Sequence, residues 1–367
     1  PELRRSAGGT SPAGAVFIVV NAALGAGLLN FPAAFSAAGG ITASISLQLV
    51  LLLFIISGLV ILAHCADACS ERTYQEVVRG VCGRTAGVFC EVLIAVYTFG
   101  TCIAFFIIIG DQLAKFCYAR VISPTIAVKR SHLFCLKGSP PLSHHTNLVF
   151  LSHLVLACTL HIVFQDFMLT GLVLNIRSNS HLHFLGSSPL HVKGCKISAL
   201  FSCTISAASW SCCHVSSVPV YGSMQQQDIK RWGCIVTVAM FLNELFNSFL
   251  GVCGFLLFGS DVNQDVLLSF PSDDIAVAVA RAFIILCVLT SYPILHYCGR
   301  AVLEGLWLRF TSQEPGEEPS KERRRRVLQT VIWFLLTLLL ALFIPDIGRV
   351  ISLIGGLAAC FIFIFPG

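Results

Sequence analysis

Charge is what this chain has least of: 12% of its 367 residues are Asp, Glu, Lys or Arg, about half the share of a soluble domain. Over this length, such a deficit excludes an ordinary soluble core and points to a chain whose solvent is mostly lipid. Catalytic signatures are also missing. There is no GxSxG, HExxH or GxxxxGK[ST], which argues against an enzyme and against an ATP-driven pump. The 17 cysteines form no paired CxxC elements with a matching His pair, so no zinc site is expected. Most of them, Cys90, Cys102, Cys158, Cys253, Cys287 and Cys360 among them, lie in apolar runs, where cysteine packs as a small soft core residue. The net charge of +5 is modest, and the basic residues sit between apolar runs. That placement orients a membrane protein and gives no nucleic-acid surface.

What is present is a series of apolar spans. Ser6 to Ala66 contains no charged residue, room for two helices at about 20 residues per span. They are expected at about 13–37 and 42–64, with Gly39-Gly40 as the turn. Further spans are expected at about 86–110, 233–258, 275–298, 327–344 and 347–365. Arg4 and Arg5, the arginines of 65–85, Lys230-Arg231 and the basic stretch 300–326 place those segments in the cytosol, and the acidic loop 259–274 on the other side. Glu91 and Arg281 lie inside spans at opposite ends. Each is expected to reach the nearer interface, without pairing with the other. The run Arg323–Arg326 is expected to set topology and to contact anionic membrane lipid.

The middle does not fit this pattern. Residues 112–146 carry Lys115, Arg120, Lys129, Arg130 and Lys137 with no acid on the side expected to be outside, and eight of the 11 histidines lie between His132 and His191. The chain is therefore expected to divide into helices one to three at 1–112, an aberrant segment at 113–212, and further helices at 213–367. A frameshift, a retained intron or a faulty gene model would produce such a segment. Both ends of the sequence, Pro1-Glu2 and Phe365-Pro366-Gly367, read as cut.

The run Asn21-Ala22-Ala23-Leu24-Gly25-Ala26-Gly27-Leu28-Leu29-Asn30-Phe31-Pro32 is the most informative. Lipid offers no partner to freed backbone groups, so two Gly with a nearby Asn and Pro mark a break that must line a cavity. Unwound backbone there offers N–H groups to an anion and C=O groups to a cation. The alternative is a Gly-rich helix-packing face. A second interruption is expected at His214-Val215-Ser216-Ser217-Val218-Pro219, the alternative being a kinked helix with its hydroxyls bonded back to carbonyls. His214 is a candidate proton-sensitive group. Cys287, Thr290 and Ser291 share one helix face. Two hydroxyls and a carbonyl there can ligate a small hard cation such as sodium, the alternative again being back-bonding near Pro293.

Ala15–Asn21 through Ala37, Ala38, Gly39 and Gly40, together with Glu71–Glu76, Cys213–Val220 and Pro345–Gly348, resemble the sodium-coupled neutral amino acid transporters within the amino acid/auxin permeases. The resemblance covers about 12–112, 213–240 and 251–367; Asn243, Glu244 and Asn247 interrupt the span between. It implies an all-α polytopic membrane protein with a five-plus-five inverted-repeat fold, here incomplete, with the middle aberrant and the last helix missing. It implies a substrate carboxylate held at Gly25, Ala26 and Gly27, with Ser216 and Ser217 on the second broken helix. It implies sodium held by Asn21, the neighbouring carbonyls of Val20 and Ala23, and Cys287, Thr290 and Ser291. The expected activity is sodium-coupled transport of small neutral amino acids, glutamine- or asparagine-like, by alternating access. The expected location is the lysosomal membrane, with the plasma membrane as the alternative. No cofactor beyond the coupling ion is expected. The competing readings are a proton-coupled or exchange carrier of the same fold and an amino-acid-sensing membrane scaffold.

Overall fold

The computed structural model describes residues 10–23, 29–118, 213–271, 275–311, 319–344 and 347–366. The segment expected to be aberrant lies almost wholly outside them. The described residues form α1 (Pro12–Ala23), α2 (Phe31–Ala38), α3 (Ile41–Cys69), α4 (Tyr74–Cys82), α5 (Arg84–Tyr118), α6 (His214–Gly222), α7 (Ile229–Phe258), α8 (Ile275–Thr311), α9 (Pro319–Phe343) and α10 (Ile347–Ala359), the last continuing as a π-helix over Cys360–Ile364. No strand occurs among them. Six helical stretches are long and apolar enough to cross a membrane: Ile41–Cys69, Arg84–Lys115, Ile229–Asp261, Val277–Thr311, Lys321–Phe343 and Ile347–Ile364. Leu53, Leu342 and Phe343 are among the large apolar side chains left exposed, as lipid-facing positions should be.

Three differences from the sequence reading have physical causes. The single span expected at 13–37 is two short helices, because a new helix starts at Phe31, with Pro32 in a first turn where its missing N–H costs nothing. The basic stretch 300–326 is mostly helical. α8 runs on to Thr311 and α9 begins at Pro319, since charged side chains past the apolar run find partners on neighbouring turns and helices. The polar stretch 65–85 contains α4, whose Tyr74, Val77 and Val78 form a buried i, i+3, i+4 face.

The chain divides into two compact units, Pro1–Cys90 with Ile176–Gln264 and Gly355–Gly367, and Glu91–Asn175 with Asp265–Ile354. In the first, α7 packs against α1, α2 and α3, and α3 also packs against α6. Trp232 Nε1 donates to the Leu59 carbonyl at 3.1 Å, and the Tyr221 hydroxyl donates to Asp67 at 2.6 Å. The Tyr74 hydroxyl reaches the Phe361 carbonyl at 3.0 Å. A Cβ on Gly251 would lie 2.5 Å from the Phe35 ring, so only glycine lets α7 approach α2 this closely. In the second unit, Phe106, Tyr292 and Phe334 form an aromatic cluster, and Gly299 lies against Thr98 and Trp333.

Candidate substrate and ion site

Helix α1 is described to Ala23, and α2 opens at Phe31 after the buried Asn30. Asn21 lies in the last turn of α1; Val20 and Ala23 are buried. Gly25, Ala26 and Gly27 lie outside the described residues.

Helix α6 opens on His214, with Pro219 inside it. His214 is fully buried. Gly58 of α3 makes room for it: a Cβ there would lie 3.0 Å from His214 Nε2 and 3.4 Å from the Ile362 carbonyl. The Ser216 hydroxyl donates to the Cys213 carbonyl at 2.9 Å, and Ser217 donates to the His214 carbonyl at 2.7 Å. Both hydroxyl protons are thus committed to the backbone, the back-bonded arrangement weighed against a binding role. Their oxygens keep lone pairs and can still accept.

Cys287, Thr290 and Ser291 belong to the second unit, on α8. The Thr290 hydroxyl donates to the Leu286 carbonyl at 3.0 Å and to that of Cys287 at 2.8 Å. This too is back-bonding, and it leaves the Thr290 oxygen as an acceptor. A hydroxyl whose proton is fixed on a carbonyl suits a hard cation.

Two charged groups set within spans find protein partners. Arg281 is fully buried, and its guanidinium donates to the carbonyls of Leu267, Phe270 and Pro271, in the loop before its span, at 3.1, 3.2 and 3.3 Å. The 3-10 turn Val266–Ser269 folds the loop back over it. Glu91 is also buried, and pairs with Arg309 at 3.0 Å. In the same loop the buried Asp265 accepts from Gln112 Nε2 at 2.5 Å and from the Leu267 N–H at 2.9 Å. Burial pushes its carboxyl up to about 7 despite these donors and the nearby Arg281; Asp111 adds to the rise. Near the end of α8, Glu304 gathers Arg325 at 3.2 Å, Arg326 at 3.3 Å and Arg300 at 3.9 Å.

A polar patch on α7 received no role from sequence. Asn243 and Asn247 are buried, as is Gln48 of α3. The Ser248 hydroxyl donates to Gln48 Oε1 at 3.0 Å and lies 3.4 Å from Glu244 Oε1. The sequence signal was the break these residues make in an apolar span; Gln48 gave none.

The family model described as transmembrane amino acid transporter protein matches residues 8–367. The chain belongs to this family. It is 70% identical to sodium-coupled neutral amino acid transporter 7 of Xenopus laevis, over 100% of this chain and 82% of that protein. It is 54% identical to the Homo sapiens protein of the same name, over 98% of this chain and 79% of that one. The solved structure of MhsT in complex with L-phenylalanine matches with a TM-score of 0.60 at 13% identity, over 97% of this chain and 90% of that chain; at that identity the likeness concerns the fold. This member of the family is therefore an integral membrane amino acid transporter and not an enzyme.

Proposed function

We propose that this transporter carries small neutral amino acids, glutamine- or asparagine-like, by sodium-coupled alternating access in a five-plus-five inverted-repeat fold, at the lysosomal membrane. The observation that carries the reading is the fresh helix start at Phe31, within what the sequence offers as one apolar run. Backbone N–H groups at a helix start favour an anion, here the substrate carboxylate near Gly25, Ala26 and Gly27. Sodium takes oxygens from Val20, Asn21 and Ala23 and from Cys287, Thr290 and Ser291; the fixed Thr290 proton supports its part. The names of the relatives support sodium and neutral amino acids as the cargo. Ion and substrate binding then shift the population between inward- and outward-open states.

The test is uptake of labelled glutamine into proteoliposomes at graded sodium. Asn21→Ala and Thr290→Ala should each raise the half-saturating sodium concentration about tenfold, the equivalent of about 1.4 kcal/mol. Unchanged sodium activation in both would remove this ion site. Equal uptake driven by a pH gradient in sodium-free buffer would favour the proton-coupled reading, for which the buried His214 is a candidate. The proposal extends to residues 113–212 being foreign to the fold; a spliced transcript that encodes them faithfully would end that part.

A further inference from the structure

Glu244 sits near the middle of the 30-residue helix α7, within a membrane span. A carboxylate at that depth needs a counter-charge, because lipid and apolar side chains cannot replace its hydration. Among the described residues, the helices packed around it supply none. α7 packs against α1, α2 and α3, and from Ser6 to Ala66 the sequence holds no Asp, Glu, Lys or Arg. The nearest titratable groups on α3, His64, Cys65 and Asp67, are 16, 17 and 19 residues beyond Gln48 in sequence, about 24 Å and more along a helix. His214 meets α3 at Gly58, 10 residues beyond Gln48, about 15 Å away along the axis. Among the described residues Glu244 has Ser248 as its one hydrogen-bond neighbour, at 3.4 Å.

The groups around it are oxygen-bearing and incompletely used. Ser248 spends its proton on Gln48 Oε1 at 3.0 Å, which leaves the Ser248 oxygen with free lone pairs. Gln48 Nε2, Asn243 Oδ1 and Asn247 Nδ2 are buried with no partner among the described residues. Of these open atoms Asn243 Oδ1 is an acceptor as it stands, and turning the Asn247 amide presents a second oxygen; buried polar atoms left open are costly as pure structure. An acceptor beside a carboxylate makes sense as the lining of something that binds a cation.

We propose that Glu244, Ser248 and Gln48 form a second cation site in the first unit, holding one monovalent positive charge, either sodium or a proton. It goes beyond the transport reading, which assigns no role to these residues. Its occupancy neutralises the mid-span carboxylate, and Asn243, one residue earlier on α7, is the next oxygen within the patch.

The test is thermal melting of the purified full chain without amino acid, in sodium chloride against N-methyl-D-glucamine chloride at equal ionic strength, from pH 5 to pH 8. A charge site here makes the wild-type melting temperature rise with sodium, or with protons, through Glu244. Glu244→Gln should lose the share of that response that runs through Glu244, leaving the sodium response of the Asn21 and Thr290 site and the pH response of Asp265, and Ser248→Ala, which keeps the carboxylate, should shift the midpoint of that share about tenfold. A reduced sodium response assigns the site to sodium; a reduced pH response with the sodium response intact assigns it to a proton. Glu244→Gln removes a mid-span charge at constant shape, so its melting temperature in sodium-free buffer at pH 8 should equal or exceed the wild type. A Glu244→Gln protein with both responses unchanged, or melting well below the wild type in that buffer, overturns the proposal. The readout involves no transport, so a protein that binds the cation here but carries no amino acid would refute the transport reading alone.

Discussion

Glu91 and Glu244 are both acids set within apolar helices, and the chain treats them in opposite ways. Glu91 on α5 has Arg309 of α8 at 3.0 Å. Glu244 on α7 has a serine hydroxyl at 3.4 Å and no ion pair among the described residues. A paired charge at a helix end locks the scaffold. An unpaired one at mid-span is tolerated only where something mobile can neutralise it.

The largest effect should come from breaking the paired carboxylate. Arg309→Ala strands Glu91 in a buried setting and should cost about 3 kcal/mol, the low end for a buried pair because Arg309 is partly exposed. Thermal melting checks it, and the double variant with Glu91→Gln should recover most of the loss. A loss that persists in the double variant would make packing of the Arg309 stem the cause. Next comes Gly251→Ala, which drives a methyl into the Phe35 ring and should cost about 1–3 kcal/mol; an undisturbed melting temperature would mean α7 and α2 separate freely.

Asp265 sharpens the contrast through pH. Its folded pKa, near 7, lies above the ordinary value of 3.8. The folded state therefore holds the proton more tightly, and this contribution to stability is full below about pH 4. It is lost as pH rises toward and through 7. Asp265→Asn should flatten the fall in melting temperature over that range; an unaltered pH profile would place the titration elsewhere. The smallest effect is expected at Thr290, where alanine removes an oxygen donor whose proton is already bonded within its own helix. Stability should move by no more than about 0.5 kcal/mol, so any change in sodium activation of Thr290→Ala is then a change at the ion and not in folding.

Much of the architecture was legible because membrane spans announce themselves in one dimension. The charge-free run from Ser6 to Ala66 foretold α3, and the acidic and basic stretches divided the later helices correctly. Helix ends were less legible. α8 continues to Thr311 because Arg300 meets Glu304 one turn on, and such pairing extends a helix past its apolar part. α4 could have been found, since Tyr74, Val77 and Val78 carry the helical period. The fate of Arg281 could not, because its acceptors lie 10 to 14 residues away on a loop whose fold-back is a tertiary event. At the site, the fresh helix start at Phe31 follows from Pro32. The use of the Thr290 proton depends on rotamer choice, which spacing alone does not fix. Asn243, Glu244 and Asn247 were visible only as residues that an apolar span should not contain.

We propose that this membrane protein drives amino acid uptake with sodium. The most direct measurement is concentrative uptake of labelled glutamine by proteoliposomes carrying the full chain, under an inward sodium gradient and in choline. Accumulation above the external concentration is expected in sodium, collapsing when the gradient is dissipated. Equal, merely equilibrating uptake in sodium and in choline would contradict it.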